Sequence, residues 1–140
     1  MSKNYYSLGL MSGTSMDGVD VSIIKSDGDI VFKGIFNKYF EYSDQFSKKI
    51  LKIRDKSKNP KNLNLYSKEL NNIEKEITLF HAKVTNEVIK EVNSNIDIIG
   101  FHGQTIFHSA KDMVSKQLGD GKLLSQETKK KLFMISDKMT

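Results

Sequence analysis

Leu10-Met11-Ser12-Gly13-Thr14-Ser15-Met16-Asp17-Gly18-Val19-Asp20 sets a loop of small residues between two strand-like runs. Before it stands Tyr5-Tyr6-Ser7-Leu8-Gly9-Leu10-Met11, and after it Val19-Asp20-Val21-Ser22-Ile23-Ile24-Lys25. Two β-prone runs joined through Asp17-Gly18 predict a hairpin. The connection is longer than two residues and carries Ser12, Thr14 and Ser15. Such a loop can aim backbone N–H groups and hydroxyls at an anion, because Gly13 lets the chain approach closely without a Cβ in the way. Asp17 is placed to hold a magnesium ion through water, as carboxylates do at nucleotide sites. An ordinary glycine hairpin with solvent-facing hydroxyls is the plain alternative, and this stretch alone does not separate the two.

Outward from the hairpin, Ser26-Asp27-Gly28-Asp29 predicts a turn and residues 30–40 a third strand, completing an antiparallel meander. From Ser43 the pattern becomes helical, with Phe46, Ile50, Leu51 and Arg54 on one side. A polar loop follows over residues 56–62, with the only proline at Pro60. Tyr66, Leu70, Ile73, Ile77, Phe80, Val84, Val88 and Val92 then recur at intervals of three and four, the apolar stripe of one long helix. His81 lies beside that stripe and reads as a packed or half-exposed helix residue rather than a ligand. Asn93-Ser94-Asn95 ends the helix, and residues 96–101 predict a short buried strand covered by helices.

With 140 residues, 38% of them hydrophobic and 28% charged, the chain has the make-up of one soluble globular domain. Without cysteine there is neither a disulfide framework nor a thiolate metal site. No apolar run reaches membrane-spanning length, and the expected address is the bacterial cytoplasm, with no membrane partner. The net charge of +5 comes from dispersed lysines with a single arginine, Arg54. Nucleic-acid readers concentrate their basic residues and rely on arginine forks, so no nucleic-acid partner is expected.

Two further clusters carry chemistry. His102-Gly103-Gln104-Thr105 follows the predicted 96–101 strand as a polar turn, the place where open α/β sheets present ligand groups. Its donors and acceptors suit a polyhydroxylated ligand, although a self-bonded turn is the plain alternative. Gln117-Leu118-Gly119-Asp120-Gly121 leads into a short helix, where Asp120 and free N–H groups could meet a phosphate, metal or sugar, or Asp120 could simply be the N-cap. Seven of the nine glycines (Gly9, Gly13, Gly18, Gly100, Gly103, Gly119, Gly121) fall in or beside the three clusters, which points to a composite site rather than to scattered loop flexibility.

In this order the three clusters resemble the anhydro-N-acetylmuramic acid kinase family. The matching stretches are residues 9–20, the run Ile99-Gly100-Phe101-His102-Gly103-Gln104-Thr105-Ile106-Phe107-His108, and residues 117–121. The resemblance implies an α/β fold of the actin, sugar-kinase and heat-shock ATPase group, here its first lobe: an antiparallel meander, helices and a short further strand. It implies ATP binding by Gly13, Thr14, Ser15, Met16, Asp17, Gly18, Val19 and Asp20, with Mg²⁺ at Asp17 through water. It implies sugar binding by His102, Gly103, Gln104, Thr105, Gly119, Asp120 and Gly121. On this basis Gln104→Ala or His102→Ala is expected to weaken sugar binding and leave ATP binding unchanged. The implied reaction opens the anhydro ring of 1,6-anhydro-N-acetylmuramic acid with water and ATP, giving N-acetylmuramic acid 6-phosphate in peptidoglycan recycling. Dimerisation is left open.

Family members are longer and continue into a strand reading roughly Tyr-Asp-Phe-Arg, with an aspartate beyond it as the implied base. This chain reads Leu132-Phe133-Met134-Ile135-Ser136-Asp137-Lys138-Met139-Thr140 instead. Written in A/T-favouring codons and read in a shifted frame, Phe133 to Thr140 gives Tyr-Asp-Phe-Arg-Gln-Asn-Asp, which implies a frameshift around Lys129-Lys130-Lys131-Leu132-Phe133. The expectation is an incomplete amino-terminal lobe over residues 1–140, with the second lobe absent, no catalytic base in the chain, no activity alone, and an unpaired apolar edge along residues 96–101. Alternatives are another sugar kinase of the same fold group and a non-catalytic nucleotide- or nucleic-acid-binding module.

Overall fold

A computed structural model describes residues 3–13, 15–29, 32–56, 65–109 and 114–135, with the backbone alone for 107–109 and 114–115. Strands β1 (Tyr5–Ser12), β2 (Gly18–Ser26) and β3 (Phe32–Glu41) form the expected meander, with Tyr5 opposite Ser26 and Ser12 opposite Val19 in the first pair. Ile30 and Val31 of the predicted third strand lie outside the described residues, as does most of the 56–62 loop. Helix α1 (Asp44–Lys56) starts where Ser43 Oγ accepts from Phe46 N at 3.1 Å, a capping bond, and carries Asp44 in its first turn and Arg54 and Lys56 in its last. Its buried positions are Ile50 and Ile53, with Phe46 and Leu51 partly buried. Arg54, expected on that side, is half-exposed and bonds Asp55 instead.

Helix α2 (Ser67–Val92) realises the long stripe, burying Leu70, Ile73, Ile77, Val84 and Val88. It stops at Asn93, whose left-handed φ of 50° lets its N–H reach the Ile89 carbonyl. Then come β4 (Ile98–Ser109), β5 (Val114–Leu118), α3 (Gly121–Thr128) and β6 (Leu132–Met134). The sheet order is β3-β2-β1-β4-β5, and β6 lies parallel to the first part of β4. Among the described residues no helix is long and apolar enough to cross a membrane.

Two expectations change here. Residues 102–105 are not a turn after a short strand: β4 runs straight through them, because β5 supplies an antiparallel partner from Gln104 to Ser109. Between Leu10↔Phe101 and Ser12↔Gln104 the β4 side has one extra residue, and the irregularity coincides with the positive φ of 78° at Gly103. The 96–101 segment also does not lack a neighbour, since Ile99, Gly100 and Phe101 pair with Leu132, Phe133 and Met134.

Alternation sorts the sheet into two faces. Leu8, Leu10, Val19, Val21, Ile23, Ile99 and Phe101 are buried with the helices, each full burial of such a side chain contributing roughly 1.5–3 kcal/mol. Tyr5, Met11, Ile24, Tyr39 and Phe133 are exposed. The ion pairs Lys49–Glu76, Lys38–Glu91 and Lys56–Glu69 are all solvated and contribute little.

At Gly103 only glycine fits, because an added Cβ would lie 2.7 Å from the Leu118 carbonyl oxygen and the φ is left-handed. Gly103→Ala is expected to lower stability by about 2–4 kcal/mol in urea titration, whereas Gly34→Ala, with open space around it, should be near neutral. Equal effects at the two glycines would contradict this account of the β4 irregularity.

Candidate functional site

The hairpin loop is anchored at several points. Met16 N donates to the Gly13 carbonyl at 3.2 Å, and the Met16 side chain, at φ 58°, is driven into the core. Ser47 Oγ donates to the Met16 carbonyl at 2.7 Å, and Tyr42 N to the Asp17 carbonyl at 2.8 Å. Val19 is fully buried too, so within the predicted nucleotide set Met16 and Val19 have side chains that serve packing. Gly13, Ser15 and Asp17 are exposed, and Thr14 lies outside the described residues. Ser15 Oγ donates to Asp17 Oδ1 at 2.8 Å, and the Tyr39 hydroxyl donates to the same oxygen. Those two hydroxyls, Tyr39 first, hold the Asp17 carboxyl below its ordinary pKa. Desolvation and the Asp17 carboxylate push the Tyr39 phenol upward, keeping it a donor. Asp20 Oδ1 is buried and has no hydrogen-bond partner among the described residues.

Beneath the loop runs a buried polar network whose proton directions are set by its ends. His81 Nδ1 is 2.7 Å from the Ile77 carbonyl, which can only accept, so Nδ1 carries the proton and Nε2 accepts from the Ser12 hydroxyl at 3.0 Å. Gln104 Oε1 accepts from the Tyr42 hydroxyl at 3.3 Å, and Gln104 Nε2 donates to the Gly13 carbonyl at 2.8 Å. Burial pushes the Tyr42 phenol up to about 12. Burial also lowers His81 to about 4, although its bond to Ile77 opposes that shift. His81 is therefore the packed residue of the two alternatives: it is wholly buried, and its ring centroid lies 5.0 Å from that of Phe101.

The second and third clusters meet across backbone. An added Cβ at Gly119 would lie 2.8 Å from the Phe101 ring and 3.2 Å from Gly103 Cα. Gln117 Nε2 donates to the His102 carbonyl at 2.9 Å and lies 3.1 Å from His102 Nε2. Thr105 and His102 are both largely buried. The N–H groups predicted to be free in the third cluster are taken: Gly119 N donates to Glu74 Oε2 at 3.1 Å and Asp120 N to Thr78 Oγ1 at 3.0 Å. Asp120 is the N-cap of α3, its Oδ1 accepting from Leu123 N at 3.1 Å, with Gly121 following as the first helical residue. Gln104 thus joins the first cluster to the second, and the Gly103–Gly119 approach joins the second to the third. A groove of about 580 Å³ between α1 and α2, lined in part by Phe46, Lys49, Glu76 and Phe80, touches none of them.

The profile of the family described as anhydro-N-acetylmuramic acid kinase matches residues 5–138. The chain belongs to the anhydro-N-acetylmuramic acid kinase family. A relative of that name from Pelagibacter ubique is 55% identical over 130 residues, covering 93% of this chain and 35% of the relative. Relatives of the same name from Brucella canis and Agrobacterium fabrum are 34% and 35% identical, each covering 86% of this chain and 33% of the relative. The chain spans about a third of the length of these curated relatives.

In this family member the three motifs lie together in the fold, and most of the residues that hold them lie outside the motifs. Tyr39, Tyr42 and Glu74 carried no local signal, and Gln117, though part of the third cluster, was given no role. His81 did carry one, a polar residue beside an apolar stripe, and Glu74, Thr78 and His81 share that face at helical spacing. No cluster of three or more metal-ligating side chains occurs among the described residues.

The folded His81 pKa of about 4 lies below the ordinary 6.5, so the unfolded chain takes up the proton first as pH falls. The stabilisation is complete above pH 6.5 and is lost between there and about pH 4, on the order of 3 kcal/mol. Urea titrations across that window should show a shallower pH dependence for His81→Phe than for the native chain. Identical slopes would remove His81 as the source.

Proposed function

We propose that this chain is the amino-terminal lobe of an ATP-dependent kinase that opens 1,6-anhydro-N-acetylmuramic acid with water and phosphorylates it to N-acetylmuramic acid 6-phosphate. The observation that carries the reading is the tie between the Ser12–Gly18 loop and the His102–Thr105 segment through the Gln104 amide and the Gly13 carbonyl. One element faces the nucleotide and the other the sugar. Pinning the Gly13 carbonyl inward keeps an acceptor from facing an anion, so the exposed loop offers backbone donors to phosphate oxygens, while the Ser15 hydroxyl stays on Asp17. His102 and Thr105 lie on the sugar side with Gly119, Asp120 and Gly121 beside them, and no residue of the three motifs is assigned as the base that activates water.

The residues fit magnesium in one respect: Mg²⁺ keeps several waters and needs only one or two carboxylates, and the segment supplies an exposed Asp17 with, three positions on, Asp20, whose Oδ1 has no partner among the described residues. When bound, the ion would neutralise charge on the transferring phosphoryl group. The chain's own contribution is to orient the nucleotide and hold it at a fixed distance from the sugar segment.

The reading is tested in a chimera in which residues 5–128 replace the matching segment of the Pelagibacter ubique relative. ATP consumption should depend on the anhydro-sugar, and Asp17→Asn should lower turnover roughly a hundredfold without loss of folding. Unchanged turnover would make the loop an ordinary hairpin. Because the Gln104 amide bonds Gly13, Gln104→Ala should raise the KM for ATP as well as for sugar, by an amount matching about 1–3 kcal/mol, whereas His102→Ala should affect the sugar alone.

A further inference from the structure

The geometry points to Tyr39 as a positioning residue for Asp17, one that fixes the carboxylate so that a single oxygen faces outward toward the metal-bound phosphates of the nucleotide. The inference rests on the nucleotide reading of the hairpin and adds to it a residue that lies outside all three motifs. Tyr39 belongs to β3, the edge strand, where it stands opposite Asp20 on the sheet face away from the helices. It is 47% exposed, so the core does not require it. Yet its hydroxyl crosses to Asp17 and joins Ser15 Oγ on Oδ1. The other oxygen, Oδ2, takes no bond from any other described residue.

The path of that crossing explains Gly18. Its φ is not left-handed, so the backbone does not demand glycine there. A Cβ, however, would lie 2.6 Å from the Tyr39 hydroxyl oxygen, 2.7 Å from its Cζ and 2.4 Å from the Phe40 carbonyl oxygen. The glycine leaves space for the close approach of the Phe40 carbonyl and, with it, for the phenol that reaches the carboxylate. Two donors on one oxygen restrict both side-chain torsions of Asp17 before any ligand arrives. The entropy of ordering that side chain is then not charged against binding. A carboxylate that waves in solvent would meet the ion in many orientations, whereas one clamped at Oδ1 presents Oδ2 in one.

Tyr39→Phe tests this, because it keeps the ring over Gly18 and removes only the hydroxyl. Two readouts separate the possibilities, the first on the 140-residue chain and the second on the chimera with the Pelagibacter ubique relative. NMR three-bond couplings of Asp17, recorded without nucleotide, should report one χ1 rotamer in the native chain and averaging in the variant. Calorimetric titration with ATP should show Kd rising about tenfold in the presence of Mg²⁺ and less than twofold in its absence. A single Asp17 rotamer in Tyr39→Phe, or equal weakening with and without Mg²⁺, overturns the positioning role. Averaging of Asp17 already in the native chain overturns it as well. Failure of the unsubstituted chimera to bind ATP under either condition overturns the nucleotide reading, and the role of Tyr39 toward phosphate falls with it, while the couplings still decide whether Tyr39 holds Asp17.

Discussion

The amide of Gln104 has no exposure to solvent, so both of its ends must find partners inside the protein or incur a desolvation cost of about 1–3 kcal/mol each. It meets that constraint with the Tyr42 hydroxyl on one end and the Gly13 carbonyl on the other. Because Gly13 opens the hairpin loop and Gln104 sits where β4 departs from register with β1, this pair sets where the loop lies relative to the sheet. The rest of the loop follows: Met16 is turned into the core, and the Asp17 carbonyl is bonded to Tyr42 N, which places the carboxylate outside.

Helix α2 supplies the support from below. Along one line it presents Glu74, Thr78 and His81, which take Gly119 N, Asp120 N and the Ser12 hydroxyl respectively. Thr78 Oγ1 accepts from Asp120 N and donates to the Glu74 carbonyl, so these three residues have no spare donor, whereas the buried Thr85 hydroxyl one turn further on has no partner among the described residues. A polar row inside an apolar stripe is costly unless each member is bonded. Here each bond fixes a loop that belongs to a different motif, and one rigid helix therefore sets the spacing between the hairpin and the turn before α3.

Glycine serves two distinct purposes at the motifs. Gly103 supplies a left-handed backbone angle where β4 takes an extra residue, and Gly119 lets the Phe101 ring and the Gly103 backbone approach closely. Gly18 needs no unusual angle and provides room for β3, for the Phe40 carbonyl and for the Tyr39 side chain. Substitutions at these sites would thus fail for different reasons, backbone strain at one and steric collision at the others.

The meander, the two longer helices and the family were legible in the sequence because they rest on local periodicity and on contiguous motifs. Alternation over residues 5–12 and 18–26 and the three-and-four spacing over residues 66–92 are properties of neighbouring residues, and the order of the three motifs is read directly. The extent of β4 was not legible, because residues 102–105 become strand only when β5, further along the chain, offers hydrogen bonds to them. Nor could sequence show that Gln104 bonds a residue 91 positions away, that His81 reaches Ser12 across 69, or that Tyr39 reaches Asp17 across 22. Local pattern alone determined the meander, the two longer helices and the order of the three motifs. Tertiary structure decided which polar groups are used up inside and which remain for a ligand, since the burial of a side chain and the identity of its partner depend on what the fold brings beside it.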